Sequence, residues 1–229
     1  QLPPQPVQVL LLDLPLAGGD LPDQTPRVAV YAPEWGGAVA VHRETGAGTF
    51  DLAAILPESA RVGVTLDPLA RAAPGLWDRG APVRVQMRAG DLASIPVAGV
   101  LDGGNLAAIG DGYRWELFQF ANADMVAPDT WALSQRLRGQ GGSDGVAPAL
   151  WPAGSLVVMV DDALGTLDLP LDALGRLMRY RVGPAEVTLD DPAQTDIEAV
   201  FGGVGLRPWR PAHLRARVLP GGDVAISWI

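Results

Sequence analysis

Glycine and proline interrupt this chain too often for long helices to form. Twenty-eight glycines and 21 prolines are spread through 229 residues. Proline withholds a backbone donor and glycine adds a backbone entropy cost, so both weaken helix interiors. The runs between them are short and alternate apolar with polar residues, which is the period of a strand rather than a helix. The expected fold is therefore mainly β and rich in hairpins, a sandwich or barrel-like arrangement with short helical segments. With 48% hydrophobic and 19% charged residues, the chain can bury one large core or two small ones.

Residue types that are missing exclude whole chemistries. There is no cysteine, which removes disulfides, thiol nucleophiles and cysteine-ligated zinc. All 17 basic residues are arginine, so a Schiff-base lysine or a phosphate-loop lysine is excluded. A net charge of −9 without a basic run argues against binding nucleic-acid phosphates or an anionic membrane surface. The apolar start at 7–16 is broken by Asp13 and Pro15, too soon for a signal peptide or a membrane span. A first residue Gln1 and an alternating pattern that runs to Ile229 suggest a piece of a longer polypeptide.

Strands are expected at 7–16, 27–32, 37–43 and 61–66, with 27–32 and 37–43 joined as a hairpin through Pro33-Glu-Trp-Gly-Gly. Residues 50–56 fit either a helix or a buried strand. At 82–88, Val83, Val85 and Met87 alternate with Arg84, Gln86 and Arg88, a half-buried strand. Asp111-Gly112 and 127–130 read as hairpin turns. Further strands are expected at 156–160 and 179–183, and one or two helical turns at 171–178. Residues 190–206 carry acids, a proline and a Gly-Gly pair without a period and read as a linker.

Candidate chemical groups are few. Gly141-Gly-Ser143-Asp-Gly145 has the spacing of a hydrolase nucleophile elbow, with His213 downstream, but Pro148 and Pro152 follow too soon for the helix an elbow needs. A flexible turn between strands is the better reading. His42 and His213 are too few and too far apart for a histidine metal site. Asp161-Asp162 and Asp190-Asp191 suit turn capping better than calcium. Glu116 alternates with Trp115 on a strand, which places it on a solvated face rather than in a glycosidase cleft. The seven tryptophans, at 35, 77, 115, 131, 151, 209 and 228, suit β cores, with a sugar-stacking platform as the alternative. No catalytic residue, cofactor or metal is assigned. Arg136 and Arg138 flank Leu137 on a strand, so both guanidiniums share a face while leucine enters the core. Their planar forks suit carboxylates or carbonyls, in a contact within the chain or between subunits.

The stretch 117–145, from Leu117-Phe-Gln-Phe-Ala through Pro128-Asp-Thr and Leu133-Ser-Gln-Arg-Leu-Arg-Gly-Gln140 to Gly145, resembles the baseplate hub tail protein of gene transfer agents and related siphophages. Ala73-Pro-Gly-Leu-Trp-Asp-Arg-Gly80, Asn105-Leu-Ala-Ala-Ile-Gly110, Pro152-Ala-Gly-Ser155, Tyr180-Arg-Val-Gly-Pro-Ala185 and Pro208-Trp-Arg-Pro-Ala-His-Leu-Arg-Ala216 look like pieces of the same C-terminal region. The resemblance implies a structural part of a phage-like tail acting in DNA delivery, located in the particle's baseplate. It implies a homotrimer, contacts with other tail and baseplate proteins, and no enzymatic activity in this region. A receptor- or carbohydrate-binding module at the tail tip is the alternative. The proline-led hairpin at 207–229 looks like the start of a fibronectin-III-like sandwich. The expected divisions are a β-rich segment at 1–72, a tail-protein β domain at 73–189, the linker at 190–206 and the incomplete sandwich at 207–229.

Overall fold

Six antiparallel strands close into a barrel, and two further sheets stack on its outside. The architecture comes from a computed structural model that describes residues 7–15, 24–32, 34–208 and 214–228. Around the barrel run β5 (Val62–Thr65), β8 (Val83–Ala89), β11 (Thr130–Gln140), β10 (Trp115–Ala127), β9 (Leu106–Gly110) and β13 (Leu156–Met159), with β13 pairing back to β5. The short strand β7 (Trp77–Asp78) hangs on β11. A two-strand pair, β6 (Leu69–Ala70) with β12 (Leu150–Trp151), packs Leu69 and Trp151 into the barrel core. Closure gives each of the six strands a neighbour on both sides, so the ring has no edge strand.

Alternation sets the barrel interior. Val83, Val85 and Met87 of β8, Ala107 and Ile109 of β9, Phe118 and Phe120 of β10, and Val157 and Met159 of β13 share one core with Trp131, Leu133 and Trp151. The intervening residues Ala108, Trp115, Leu117 and Val158 form a second core with Ala29 and Tyr31 on the barrel's outer surface. Ala29 and Tyr31 belong to β2 (Arg27–Tyr31), the middle of a sheet with β1 (Gln8–Leu12) and β14 (Gly165–Thr166). The other face of β2, Val28 and Val30, packs on Val39, Val41, Leu56, Tyr180 and Val182. Those come from a four-stranded sheet ordered β16 (Thr195–Val200), β15 (Leu177–Pro184), β3 (Val39–Gly46), β4 (Thr49–Leu56). β2 is thus buried on both sides, which its nearly continuous apolar run Val28-Ala-Val-Tyr31 reflects.

Several expectations need correcting. β2 and β3 do not form a hairpin, because the 34–38 connection carries the chain from one sheet to the next and Trp35 Nε1 donates to Pro57 O at 3.0 Å. Of the two readings open for residues 50–56, helix or strand, the strand is the one that forms, as β4 (Thr49–Leu56). The linker at 190–206 contains β16, an edge strand whose Asp196 and Glu198 pair with Arg181 and Arg179 across the ladder. Within 171–178 the helical turn is confined to Leu171–Ala173, and β15 starts at Leu177. The short helix α1 (Val97–Leu101) had no expected counterpart and packs Val100 on Ala121 and Leu137. The division at residue 72 cuts the barrel, since β5 belongs to it, and the four-stranded sheet draws on both sides of the barrel sequence. At the C-terminus a hairpin forms from β17 (Arg215–Val218) and β18 (Val224–Ser227). Residues 209–213 of the expected sandwich, including His213 and Trp209, lie outside the described residues.

Candidate functional site

The most concentrated polar chemistry sits inside the barrel. Glu116 shares the face of β10 that carries Phe118 and Phe120, and it is 2% exposed, so the solvated position expected for it is wrong. The reason is that β10 is covered on both sides, by the barrel core within and by β2 without. Arg138, fully buried, grips Glu116 in two bonds of 2.7 Å, from Nε to Oε1 and from Nη2 to Oε2. Trp151 Nε1 donates to Oε2 at 2.7 Å and the Gly139 N–H to Oε1 at 3.2 Å. A carboxylate so placed has its lone pairs filled by four donors, the condition that lets a charge be buried.

A second pair extends the ladder. Asp78 on β7 accepts from Arg136 Nε at 3.0 Å, and Arg138 Nη1 lies 3.7 Å from the same oxygen. Arg136 also donates to the carbonyls of Ala81 and Leu133, and Arg138 to that of Ala70. The order Glu116, Arg138, Asp78, Arg136 alternates in sign and sums to zero. Burial alone would push the Asp78 carboxyl up, but the Gly80 N–H and then Arg136 and Arg138 outweigh it and hold it below its ordinary value.

Gln135 explains how two arginines enter a barrel core. Its φ of 53° breaks the alternation, so Trp131 and Leu133 before it and Arg136 and Arg138 after it point to the same side. Leu137 turns outward into the small cluster with Val100 and Ala121. The two guanidiniums do share a face, as expected, but that face is the barrel interior. Arg136 and Arg138 are 1% and 0% exposed, and their donors are taken by partners within this chain, so the intrachain contact is the one realised. No sequence signal marks Gln135, since glutamine carries no turn preference.

The other candidates are structural. Ser143 is buried in a short helical turn, where its Oγ accepts from the Leu117 N–H at 2.8 Å and donates to Gln140 O at 2.7 Å. It pins the end of β11 to β10 and is not the flexible turn expected. Asp161 accepts from the Ala163 N–H and pairs with Arg61, and Asp191 accepts from the Ala193 N–H, so both cap turns. Among the described residues, no three His, Asp or Glu side chains gather as a metal site, and no helix is long and apolar enough to cross a membrane. Trp115, Trp131 and Trp151 are core residues, and among the described residues the aromatics that are more than half exposed, Tyr113 and Trp228, stand on different hairpins. An open depression of about 330 Å³ is lined by Arg79, Gly80, Ser134 and Gln135.

On the barrel wall, Arg84 clamps Asp67 through Nε and Nη2 at 2.9 and 2.7 Å, and its N–H adds a third bond. The Arg84 side chain and then its N–H hold the Asp67 carboxyl down at about 2. A depressed carboxyl supports the fold above its unfolded value and loses that support as pH falls through its folded value. The Asp67 contribution is therefore lost between the ordinary 3.8 and about 2. Carbon-detected NMR titration of Arg84→Gln should move the Asp67 midpoint up towards 3.8, and an unmoved midpoint would refute the clamp.

A closed six-stranded barrel with a neutral ion ladder, backed by two stacked sheets, defines an antiparallel β domain. The sequence model of the family described as Rcc01698-like, C-terminal, matches residues 60–158. That stretch starts two residues before β5 and stops one residue short of the end of β13, so the matched region and the barrel coincide. No curated protein matches the chain.

Proposed function

We propose that this chain is a structural component of the baseplate hub of a phage-like tail, of the kind gene transfer agents carry, and serves DNA delivery into a host cell. The observation that carries the reading is the resemblance of 117–145 to such hub proteins, which falls on the long hairpin β10–β11 that holds the ion ladder. The physical character of the barrel supports it. Its buried charges are spent on one another, so the barrel is a rigid wall and not a reacting centre. An acidic chain at −9 repels a passing polyanion, which suits a component beside DNA. On this reading the chain works in the particle's baseplate as a homotrimer among other tail proteins.

Cryo-electron microscopy of the intact particle tests this. The barrel should be found at a threefold hub on the tail axis, in contact with neighbouring tail subunits. A mobile knob projecting from the tail tip, or absence from the particle, would overturn the proposal, and the former outcome would favour host-surface binding.

A further inference from the structure

A gap in the barrel wall gathers polar groups that take no part in holding the fold. β11 pairs with β8 up to Leu133, opposite Val83, and with β7 from Arg136, opposite Asp78. Ser134 and Gln135 fall between, across from the connection at 79–82. The depression lined by Arg79, Gly80, Ser134 and Gln135 opens in this gap. Its volume of about 330 Å³ lies at the small end of ligand pockets, roughly 300–1,000 Å³. Its frame is fixed before any ligand arrives, which lowers the cost of binding. Arg136 Nη1 and Nη2 both donate to Ala81 O at 3.0 Å, and the Gly80 N–H donates to Asp78 Oδ1 at 2.9 Å.

Arg79, Ser134 and Gln135 keep unused hydrogen-bonding capacity there. Every other arginine between 60 and 158 holds a carboxylate, carbonyl or hydroxyl. Arg79 makes no hydrogen bond or ion pair among the described residues, and neither does the side-chain amide of Gln135. Ser134 Oγ accepts from Asn122 Nδ2 at 3.2 Å, which leaves the hydroxyl proton to donate. No acid and no aromatic ring lines the depression, and the ladder behind it sums to zero, so Arg79 supplies the local charge. A regular strand would send residues 134 and 135 to opposite faces. The left-handed backbone at Gln135, with φ 53°, breaks that alternation, and both line the one depression. Backbone strain of this kind is kept where a site needs it.

We propose that this depression binds an acidic sugar, a hexuronate, with Arg79 on its carboxylate. The planar fork of arginine meets a carboxylate through two parallel bonds. A carboxylate alone would use only donors, yet Gln135 offers an amide oxygen beside its amide nitrogen, and Ser134 a hydroxyl. A sugar hydroxyl both donates and accepts, so a ring that carries hydroxyls next to its carboxylate matches the whole set. With no aromatic ring in the lining, the site reads polar groups at the edge of a sugar and not the face of its ring. The inference stands on this depression and does not need the tail-hub reading.

Nitrogen-15 NMR of the full chain, titrated separately with glucuronate, glucose and acetate, tests it. Glucuronate should shift the Gln135 side-chain amide and the Arg79 Nε–H. Glucose and acetate should each bind about tenfold more weakly, since each lacks one half of the match. Arg79→Met should weaken glucuronate binding by about tenfold or more. Thermal unfolding should be unchanged in that variant, because Arg79 is exposed and holds no partner among the described residues. Gln135→Gly keeps the left-handed backbone, which glycine adopts without steric cost, and should weaken binding severalfold while the fold is retained. Glucuronate shifts that are absent, or that survive Arg79→Met, would overturn the inference. Glucose binding as tightly as glucuronate would remove the carboxylate from the recognition, and acetate binding as tightly would remove the sugar. Either result would overturn it too.

Discussion

Arg138→Ala will lower the unfolding free energy by about 3–5 kcal/mol, the cost of leaving a buried charge without its partner. The side chain removed is fully buried, and the carboxylate left behind is 2% exposed. Trp151 Nε1 and the Gly139 N–H would still donate to Glu116, but neither carries a charge. The substitution also leaves the Ala70 carbonyl without the donor it has now. Urea unfolding of the variant measures the loss directly. The double variant R138M/E116Q should recover most of it, because a neutral amide still accepts from Trp151 and methionine fills the stem's volume. The pair should therefore be strongly non-additive. Were Arg138 instead engaged with another subunit, the single variant would disturb assembly and leave the unfolding of the isolated chain unchanged.

That experiment bears on what a guanidinium in a β core is for. Replacing a buried ion pair with apolar residues is often neutral or stabilising, so the ladder is not explained by stability alone. Its geometry points to position. Arg136 and Arg138 reach back to Asp78 on β7, to the Ala81 and Ala70 carbonyls, and to Glu116 on β10. Three separate stretches of chain, at 70, 78–81 and 116, are thereby registered against one strand. Methionine or leucine would fill the same space without specifying which stretch lies where.

How much of this was legible depended on whether one or two layers covered a strand. The face of β8 follows directly from Val83, Val85 and Met87, because its other side meets solvent and alternation then has one meaning. The turns at Asp111-Gly112 and 127–130 were equally plain, since their residues favour such turns by local conformation and hydrogen bonding. Glu116 was misplaced because alternation says which residues share a side but not whether that side is wet, and β10 lies between two cores. Arg136 and Arg138 were correctly put together, yet their burial depends on the left-handed backbone at Gln135, which no residue type announces. The false hairpin between β2 and β3 has a related cause. Local turn signals at 33–37 show that the chain reverses, while the choice of sheet is made by Val28, Val30, Val39 and Val41 meeting across layers. The edge strand β16 went unseen because acids at 196 and 198 look like loop until Arg179 and Arg181 are known to lie opposite.

Gly110→Ala should be the most damaging single methyl group in the barrel. A Cβ there would stand 2.4 Å from the Arg114 carbonyl oxygen and 2.4 Å from Cε3 of Trp115. Neither can yield cheaply. The carbonyl belongs to the turn that Asp111 holds, its carboxylate accepting from the Tyr113 and Arg114 N–H groups. The indole is 2% exposed and packed between the barrel and β2. Gly110 is also paired on both sides, to Trp115 of β10 and Leu156 of β13, so β9 has no free edge towards which to relax. Overpacking usually costs about 1–3 kcal/mol, and two rigid contacts put this site at about 3 kcal/mol. Gly112→Ala two residues away separates the causes. There a Cβ meets nothing within 4 Å, and the whole penalty is the backbone at φ +95°, about 1–2 kcal/mol. Thermal unfolding of both variants should rank Gly110→Ala as clearly the worse. Equal losses would mean that the barrel opens at this corner to admit the methyl group, and that the closed ring is less rigid than its pairing implies.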